Sequence, residues 1–182
     1  MEPPGSDQAP GRLDLLRIFV NTLDYPAGPD ELASLEGATQ WCRSHGLPAV
    51  SNQREVQRLR GFREALRTLL FANNGEGDAT LAWSAMQPYL GAARFAMVVD
   101  SQLRPALEAA GAGAERAIGM MLAIAYDAIS AGTWLRLRAC RKSTCRFAYF
   151  DRSKNGSRAW CSMAVCGNRA KAQRRRSREP SV

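Results

Sequence analysis

Four of the five cysteines form two pairs near the C-terminus, and their spacing could create a metal site. Four residues separate Cys140 from Cys145, four separate Cys161 from Cys166, and fifteen lie between the pairs. A connection of that length lets the chain return to the same point. Four thiolates bind zinc tetrahedrally, and such a site leaves no position open for water. The spacing therefore predicts one structural zinc ion (Zn2+), with an iron–sulfur cluster as the alternative.

The chain around these cysteines has few apolar residues with which to build a core. The main ones in residues 136–182 are Leu137, Phe147, Tyr149, Phe150, Trp160, Met163 and Val165. Modules of about 40 residues seldom fold without a staple. Residues 1–11 are polar and rich in proline, and no long apolar run follows, so neither a signal peptide nor a membrane span is predicted. In the reducing cytoplasm predicted on this basis, zinc is favoured over disulfides.

The charges are divided unequally along the chain. Residues 1–135 contain 11 Arg and no Lys against 15 acidic residues, a net charge of −4. Residues 136–182 contain 14 Arg and Lys against two acidic residues, a net charge of +12. A concentrated positive field attracts polyanions, and that attraction weakens as salt is added. The basic partner-binding surface is therefore predicted at the C-terminal end.

The elements that must position these groups begin with amphipathic helices. Residues 1–11 are predicted to be a disordered leader that buries nothing, and residues 12–132 a mainly helical N-terminal domain with a small β-hairpin. After a first helix, a second is predicted to be capped by Asp30 and a third by Ser51. One face of the third helix is apolar and comprises Val56, Leu59, Phe62, Leu66, Leu69 and Leu70.

The second half of this domain shows a change of period. A short helix is predicted around residues 81–86, followed by a strand at Phe95–Val99 whose partner is residues 101–107. A long apolar helix beginning at Ala114 is predicted to be the buried centre of the domain. Together with the cysteine-rich end, this predicts a mainly α protein of the α+β class.

Residues 133–182 are predicted to form a small treble-clef-like zinc module made of a knuckle, a hairpin and a basic helix. Residues 146–150 are rich in aromatic side chains and are predicted to form a strand, and Asn155 with Gly156 is a strong hairpin-turn signal. Good helix formers follow Met163 without proline until Pro180. The last element is therefore predicted to be a helix that starts at the second cysteine pair.

That helix would present a cationic ridge suited to the major groove of duplex DNA. Its predicted nucleic-acid contacts are Asn168, Arg169, Lys171, Arg174, Arg175 and Arg178. Base reading is assigned to Asn168 and Lys171, and phosphate contacts to the last three arginines.

Several alternatives for these residues stay open. The arginine run could be a solvated tail, and Arg169 could brace the hairpin or donate to a cysteine sulfur. Trp160 and Phe147 are expected to be core residues rather than platforms for stacked bases. RNA or the ribosome could replace DNA as the partner, since an arginine-rich helix suits both. A protein-interaction module is the third possibility.

Short motifs add a family resemblance. Residues 160–163 (WCSM), residues 166–169 (CGNR) and the basic run after them resemble the CGNR zinc finger, and Asp151 with Ser153 matches its D-x-S pattern. Residues 19–24 (FVNTLD) resemble the opening motif of the ABATE domain, which usually precedes this finger. The resemblance implies a stress-induced bacterial transcription regulator with a DNA-binding finger.

No constellation in the sequence points to an enzyme. Cys42 and His45 are three residues apart on one helical face, but a histidine at a helix C-terminus is a common structural arrangement. The glycine loop at residues 75–77 lacks the Lys and Ser/Thr of a phosphate-binding loop. The protein is therefore predicted not to be an enzyme. Its N-terminal domain is expected either to sense a small-molecule ligand or to form a homodimer.

Overall fold

A computed structural model describes residues 8–99 and 101–171 of the 182-residue chain. The helices are α1 (Asp14–Val20), α2 (Leu35–Ser44), α3 (Gln53–Asn73), α4 (Ala79–Leu90) and α5 (Gly113–Ser130). The strands are β1 (Phe95–Val99), β2 (Pro105–Ala109), β3 (Leu137–Ala139) and β4 (Ala148–Phe150). Two antiparallel hairpins, β1–β2 and β3–β4, result. This confirms the mainly α, α+β class. No helix in the described ranges is long and apolar enough to cross a membrane.

Helix α3 is the central element, and its apolar face forms as predicted. Val56, Leu59, Phe62, Leu66 and Leu70 recur every three or four residues and are buried against α1, α4 and α5. Its N-terminal cap differs from the prediction: the side chain of Asn52, not Ser51, accepts from Glu55 N at 3.0 Å, and the Glu55 carboxylate returns to Ser51 N at 2.7 Å. This is the reciprocal arrangement of a capping box shifted by one residue.

The predicted cap of α2 is wrong. Ser34, not Asp30, accepts from Gly37 N at 3.0 Å, and the helix begins at Leu35. Asp30 instead pairs with the guanidinium of Arg63 through two bonds of 2.6 and 3.0 Å. Only 2% of the Arg63 side chain is exposed, so its buried charge requires a carboxylate nearby. This pairing takes precedence over a local helix cap.

Hairpin β1–β2 has its first strand as predicted and its second strand displaced. The partner strand is Pro105–Ala109 rather than residues 101–107, because the chain turns at Leu103, whose φ of 59° is left-handed. Gly119 of α5 packs directly on this strand. A Cβ at Gly119 would lie 2.9 Å from the Cβ of Ala109, so glycine permits the close approach of helix and hairpin.

Hairpin β3–β4 brings the first cysteine pair into its connecting loop. Leu137 pairs with Phe150 and Ala139 with Ala148. The prediction of a hairpin turn at Asn155-Gly156 is wrong: Gly156 N donates to Ser153 O in a turn outside both strands. The polar segment after β4 therefore leads from the hairpin to the second cysteine pair.

The main apolar core extends across the predicted boundary between the two parts. Leu137, Ala139, Ala148 and Phe150 are buried in the same cluster as α1, α3 and α5. Residues 8–11 also depart from the predicted leader, since Ala9 is 6% exposed and its N–H donates to Asp14 Oδ1 at 2.7 Å. One side of hairpin β3–β4 is thus packed on the helical domain, and residues 8–11 belong to that domain.

Candidate metal centre and basic surface

The structure brings together the four cysteines predicted as metal ligands. The sulfur atoms of Cys140, Cys145, Cys161 and Cys166 all lie within 4.8 Å of one another. The Cys145 and Cys161 sulfurs are 3.5 Å apart, and those of Cys161 and Cys166 are 3.8 Å apart. Four sulfurs at about 2.3 Å from a tetrahedral zinc would be separated by about 3.8 Å. The donor set and its spacing therefore fit one structural zinc ion.

Backbone hydrogen bonds shape the loop between β3 and β4 and reach one of the cysteine sulfurs. Cys140 N donates to Phe147 O at 2.9 Å, and Cys145 N donates to Lys142 O at 2.8 Å. Arg146, with a left-handed φ of 49°, completes the turn that returns the chain to β4. The peptide N–H groups of Cys161 and Lys142 donate to the Cys140 sulfur. Such donors stabilise thiolate charge and fix the direction of the ligand.

The electrostatics of the cluster favour a cation at its centre. Hydrogen bonds from Cys145 and Cys161 lower the pKa of the Cys140 thiol, and the bond to Cys140 raises the pKa of Cys145. A thiolate at Cys140 thus opposes ionisation of the Cys145 thiol beside it. Four thiolates in so small a volume can coexist only with a cation among them. The zinc would supply that charge and link the two cysteine pairs.

The second cysteine pair ends in a wide turn that leads into the C-terminal helix. Residues Met163–Gly167 form a π-helical turn capped by the Ser162 side chain. A Cβ at Gly167 would lie 2.6 Å from the Met163 sulfur and 3.3 Å from the Trp160 ring, so the Met163 side chain packs directly on this glycine. Residues 168–171 continue as α-helix. Zinc coordination by Cys166 would therefore fix where this helix starts.

Asp151 organises the segment between β4 and the second cysteine pair. Its carboxylate is fully buried and accepts hydrogen bonds from Ser153 N, Arg158 N and Arg138 Nη1 at 2.9, 2.9 and 3.2 Å. Burial raises the pKa of Asp151, but its hydrogen bonds to Ser153 and Arg158 outweigh this and hold the pKa below the usual value. The D-x-S pattern thus has a structural role.

Three asparagines connect the helical domain to the zinc module. Asn21, inside the 19–24 motif, exchanges two hydrogen bonds with the backbone of Ala148 at 2.7 and 2.9 Å. Asn74, just after α3, donates to Ala139 O, Tyr149 Oη and Ala159 O at 2.8 to 3.1 Å. Asn73 adds a bond to Leu137 O.

Sequence reasoning missed these asparagines and the buried Arg67, which donates to Val20 O and Arg146 O. Asn73 and Asn74 precede Gly75 and look like ordinary loop residues. The signal that could have found Asn21 was its position inside the 19–24 motif, directly after the last residue of α1.

Many cations of the zinc module are used inside the molecule. Arg136 and Arg138 donate to the segment around Asp151, and Arg141 donates to Asn74 O. Arg158 lies over the Tyr149 ring, 4.8 Å from its centroid. Among the residues that the structure describes, the module's cationic side chains with no hydrogen bond or ion pair are Lys142, Arg146, Lys154, Arg169 and Lys171, and of these Arg146 packs against the Tyr25 and Phe71 rings. The charge available to a partner is therefore smaller than the net charge suggests.

The predicted nucleic-acid residues divide into two groups. Asn168, Arg169 and Lys171 are exposed and lie on the helix that follows Cys166, and Asn168 Nδ2 donates to Ala164 O at 3.3 Å. Arg174, Arg175 and Arg178 lie outside the described residues. Phe147 and Trp160 are half-buried against the cysteine cluster, in agreement with a core role.

The Cys42 and His45 pair does not have the features of an activated nucleophile. Cys42 is fully buried, and burial raises the pKa of its thiol to about 11. The His45 ring stacks on Trp41 with centroids 4.3 Å apart, and its Nδ1 lies 2.8 Å from Trp41 O. A buried, protonated thiol is a weak nucleophile. These contacts favour the structural interpretation of the helix end.

Comparison with known protein families agrees with both resemblances. Residues 136–179 match the family model of the CGNR zinc finger. Residues 13–133 match the ABATE family, which is described as "Putative stress-induced transcription regulator". A search of the curated proteins finds no match. Because the second match covers well over half of the sequence, the chain belongs to the ABATE family, and it carries a CGNR zinc finger at its C-terminal end.

Proposed function

We propose that the protein regulates transcription by binding duplex DNA through the turn and helix that follow Cys166. The observation that carries this is the exposure of Asn168, Arg169 and Lys171 directly after a metal ligand. Unlike Arg138 and Arg158, Arg169 and Lys171 have no internal role among the described residues. Their charges are free to meet phosphate or base edges.

Zinc has a positioning role in this function. Coordination of Cys166 fixes the first turn of the helix, so that Asn168 and Lys171 reach base edges while the basic run that follows contacts phosphates. The helical domain, whose residues contribute a net negative charge, would be repelled by DNA and so orient the basic end toward it. The function requires no catalysis, and we place it in the cytoplasm, where bacterial DNA lies.

The test is binding of the full, zinc-loaded chain to a random pool of DNA duplexes and to a matched RNA pool at several salt concentrations. We expect duplex DNA to bind with a logarithmic salt slope of about −0.9 for each phosphate contact, and successive selection to enrich a sequence. Preference for RNA would replace the DNA proposal with an RNA function. Binding that does not depend on salt would contradict both.

We further propose that the helical domain forms a homodimer. Large apolar side chains on α4, α5 and hairpin β1–β2 are exposed, namely Leu81, Trp83, Met97, Val99, Leu103, Tyr126 and Ile129. Exposed apolar surface of this extent is a common feature of sites of assembly, and a second copy of the chain carries the same surface. Sedimentation of the chain and of Met97→Asp tests this: the variant should be monomeric, and an unchanged mass would contradict the proposal.

A further inference from the structure

A cleft of about 1000 Å³ separates the zinc module from the loop at residues 24–27 of the helical domain. This volume is at the upper end of the range for small-molecule sites, roughly 300 to 1000 Å³. The loop after α1 forms one wall. The knuckle, which is the loop of residues 140–147 between β3 and β4, forms the other wall together with the turn after Cys161. The cleft therefore lies where a ligand would touch both the regulatory domain and the start of the basic helix.

The lining of the cleft combines an apolar floor with a cationic rim. Phe147, Val165 and Pro26 supply apolar surface, and Lys142 and Arg169 supply positive charge. One carboxylate, that of Asp24, also lines the cleft and accepts from Ala27 N at 3.2 Å, so the cations of the lining outnumber its acids by two to one. Three of the zinc ligands, Cys145, Cys161 and Cys166, complete the lining. Neither cation has an ion pair among the described residues. A purely apolar ligand would gain nothing from the rim, and an inorganic ion would gain nothing from the floor. The lining suits an anion that also carries a flat ring.

Hydroxyl groups supply the remaining polar positions. Ser143, Thr144 and Ser162 line the same cleft, and Tyr25 stands at its edge with 41% of its surface exposed. The Arg67 and Arg146 guanidinium groups lie 5.2 and 5.7 Å from the Tyr25 ring centroid, which holds the ring in place. Hydroxyl donors beside cations are a common way to bind phosphate.

We propose that this cleft binds a phosphorylated nucleoside, with the phosphate at Lys142 and Arg169 and the base over Phe147. The unit could be a free nucleotide or one nucleotide of a bound strand, since both present the same chemistry. A free nucleotide would give the helical domain a means to influence the basic helix, because Arg169 belongs to both surfaces. This inference does not require duplex binding to be correct.

The test compares two lysines of the zinc module that differ in position. Lys142→Ala removes a cation from the cleft, whereas Lys154→Ala removes an exposed cation that does not line it. Ala27→Trp fills the cleft without changing its charge, and Ala27→Ser is its control. Binding of the four nucleoside 5′-monophosphates, adenosine, inorganic phosphate and a 16-nucleotide single-stranded DNA is measured by calorimetry on the full, zinc-loaded chain.

We expect Lys142→Ala and Ala27→Trp to weaken binding of a monophosphate by about tenfold or more, with little change in the two controls. Adenosine alone and inorganic phosphate alone should each bind more weakly than adenosine 5′-monophosphate. If only the oligonucleotide binds and shows the same losses, the nucleotide belongs to a strand. The proposal is overturned if neither the monophosphates nor the oligonucleotide bind. It is also overturned if Lys142→Ala and Ala27→Trp bind them as tightly as Lys154→Ala and Ala27→Ser do. Should Ala27→Trp not fold, the lysine pair alone decides.

Loss of duplex DNA binding is a separate result. A chain that binds free monophosphates in the cleft but ignores duplexes would contradict the function proposed above and leave the cleft assignment intact. If all four variants bound duplexes equally well and none bound free nucleotides, the cleft assignment would be contradicted and the proposed function would stand.

Discussion

The helical domain and the segment after Ala139 solve the same stability problem in different ways. The helices bury a continuous core around α3, whereas the small cluster around the cysteines contains Tyr149 as its only fully buried large side chain among the described residues. A segment with so little apolar burial cannot offset its loss of conformational entropy. The comparison indicates that zinc takes the place of an apolar core only in the segment that does not pack against the helices.

Hairpin β3–β4 belongs to both regions because successive strand residues face opposite sides. Leu137, Ala139 and Phe150 face the helical core, while Tyr149 faces the cysteine cluster. Asn21 and Asn74 also hold the hairpin by hydrogen bonds that do not depend on metal. We therefore expect the structure that depends on the metal to begin within the hairpin, on the C-terminal side of the predicted domain boundary near residue 132.

The largest expected effect is that of Cys161→Ser. The mutation should remove zinc, unfold the knuckle and residues 159–171, and leave α1 to α5 and hairpin β3–β4 in place. Apparent zinc-binding free energies of about 10 to 16 kcal/mol in small fingers are folding free energies, so the loss should be complete rather than partial. Zinc content and hydrogen exchange measure the two parts separately.

Cys42→Ser is the matched control for that experiment, because Cys42 is buried in the helical domain, far from the cluster in sequence. It should keep one zinc per chain. If Cys161→Ser also kept one zinc, the ligand set would be wrong. If its hairpin exchanged as fast as the knuckle, the division drawn through the hairpin would be wrong.

The next largest effect concerns the buried ion pair between Asp30 and Arg63 in the helical domain. Asp30→Asn leaves the buried Arg63 with only the half-exposed Glu64 carboxylate, 2.8 Å from its Nε, as an ionic partner. Removing one partner of a buried pair costs about 3 to 5 kcal/mol, and the remaining Glu64 contact places the expected loss at the lower end of that range. Chemical unfolding at pH 7 should show this loss. Asp78→Asn is the control, since Asp78 only caps α4 and asparagine caps equally well.

The same pair predicts a pH dependence. Burial raises the pKa of Asp30, but hydrogen bonds from Arg63 and Leu32 outweigh this and lower the pKa below its usual value. A lowered native pKa gives stability that is present above the unfolded pKa of about 3.9 and is lost as the pH falls through the native pKa. Asp30→Asn should lack this loss in acid. Parallel curves for both proteins would contradict the assignment.

The parts of the structure that followed from the sequence are those with a local, repeated signal. The apolar face of α3 has a clear period, the strand Phe95–Val99 is a short apolar run between turn signals, and the two cysteine pairs have a spacing that few other arrangements share. The parts that did not follow depend on distant partners. Asp30 has the sequence of a helix cap but pairs with Arg63, and no local pattern could reveal a buried arginine 33 residues away.

The zinc module shows the same limit. The Asn155-Gly156 signal is real as a turn, but β4 finds its partner in β3 on the other side of the knuckle, because that pairing buries apolar side chains against α3. Net charge also misled in part. Arg138 and Arg158 count toward the basic tail, yet both are committed to internal hydrogen bonds.

A smaller effect should follow from Asn74→Ala, which tests the connection between the regions. The mutation removes this donor from the buried Ala139 O, and a buried unsatisfied group costs about 1 to 3 kcal/mol. Ala159 O also loses the bond but still accepts from Arg141 N. The rate of zinc transfer to a chelator should rise. Asn52→Ala, which removes a helix cap costing about 1 kcal/mol, should leave that rate unchanged. Equal rates for both variants would mean that Asn74 does not support the metal site.

The smallest effect on stability, and the sharpest test of the basic surface, is that of Arg169→Ala. Because Arg169 is exposed, the protein's free energy of unfolding should change by no more than about 0.5 kcal/mol. The magnitude of the salt slope of DNA binding should fall by about 0.9 if one phosphate contact is lost.

Arg138→Ala removes the same charge from the same module, but from a side chain that donates to the buried Asp151 carboxylate. Arg138→Ala should therefore lower stability and leave the salt slope nearly unchanged at temperatures where it is folded. If both variants reduced the slope equally, total charge rather than the helix after Cys166 would govern binding. The zinc would then have no positioning role in recognition, and the two regions would differ only in how they fold.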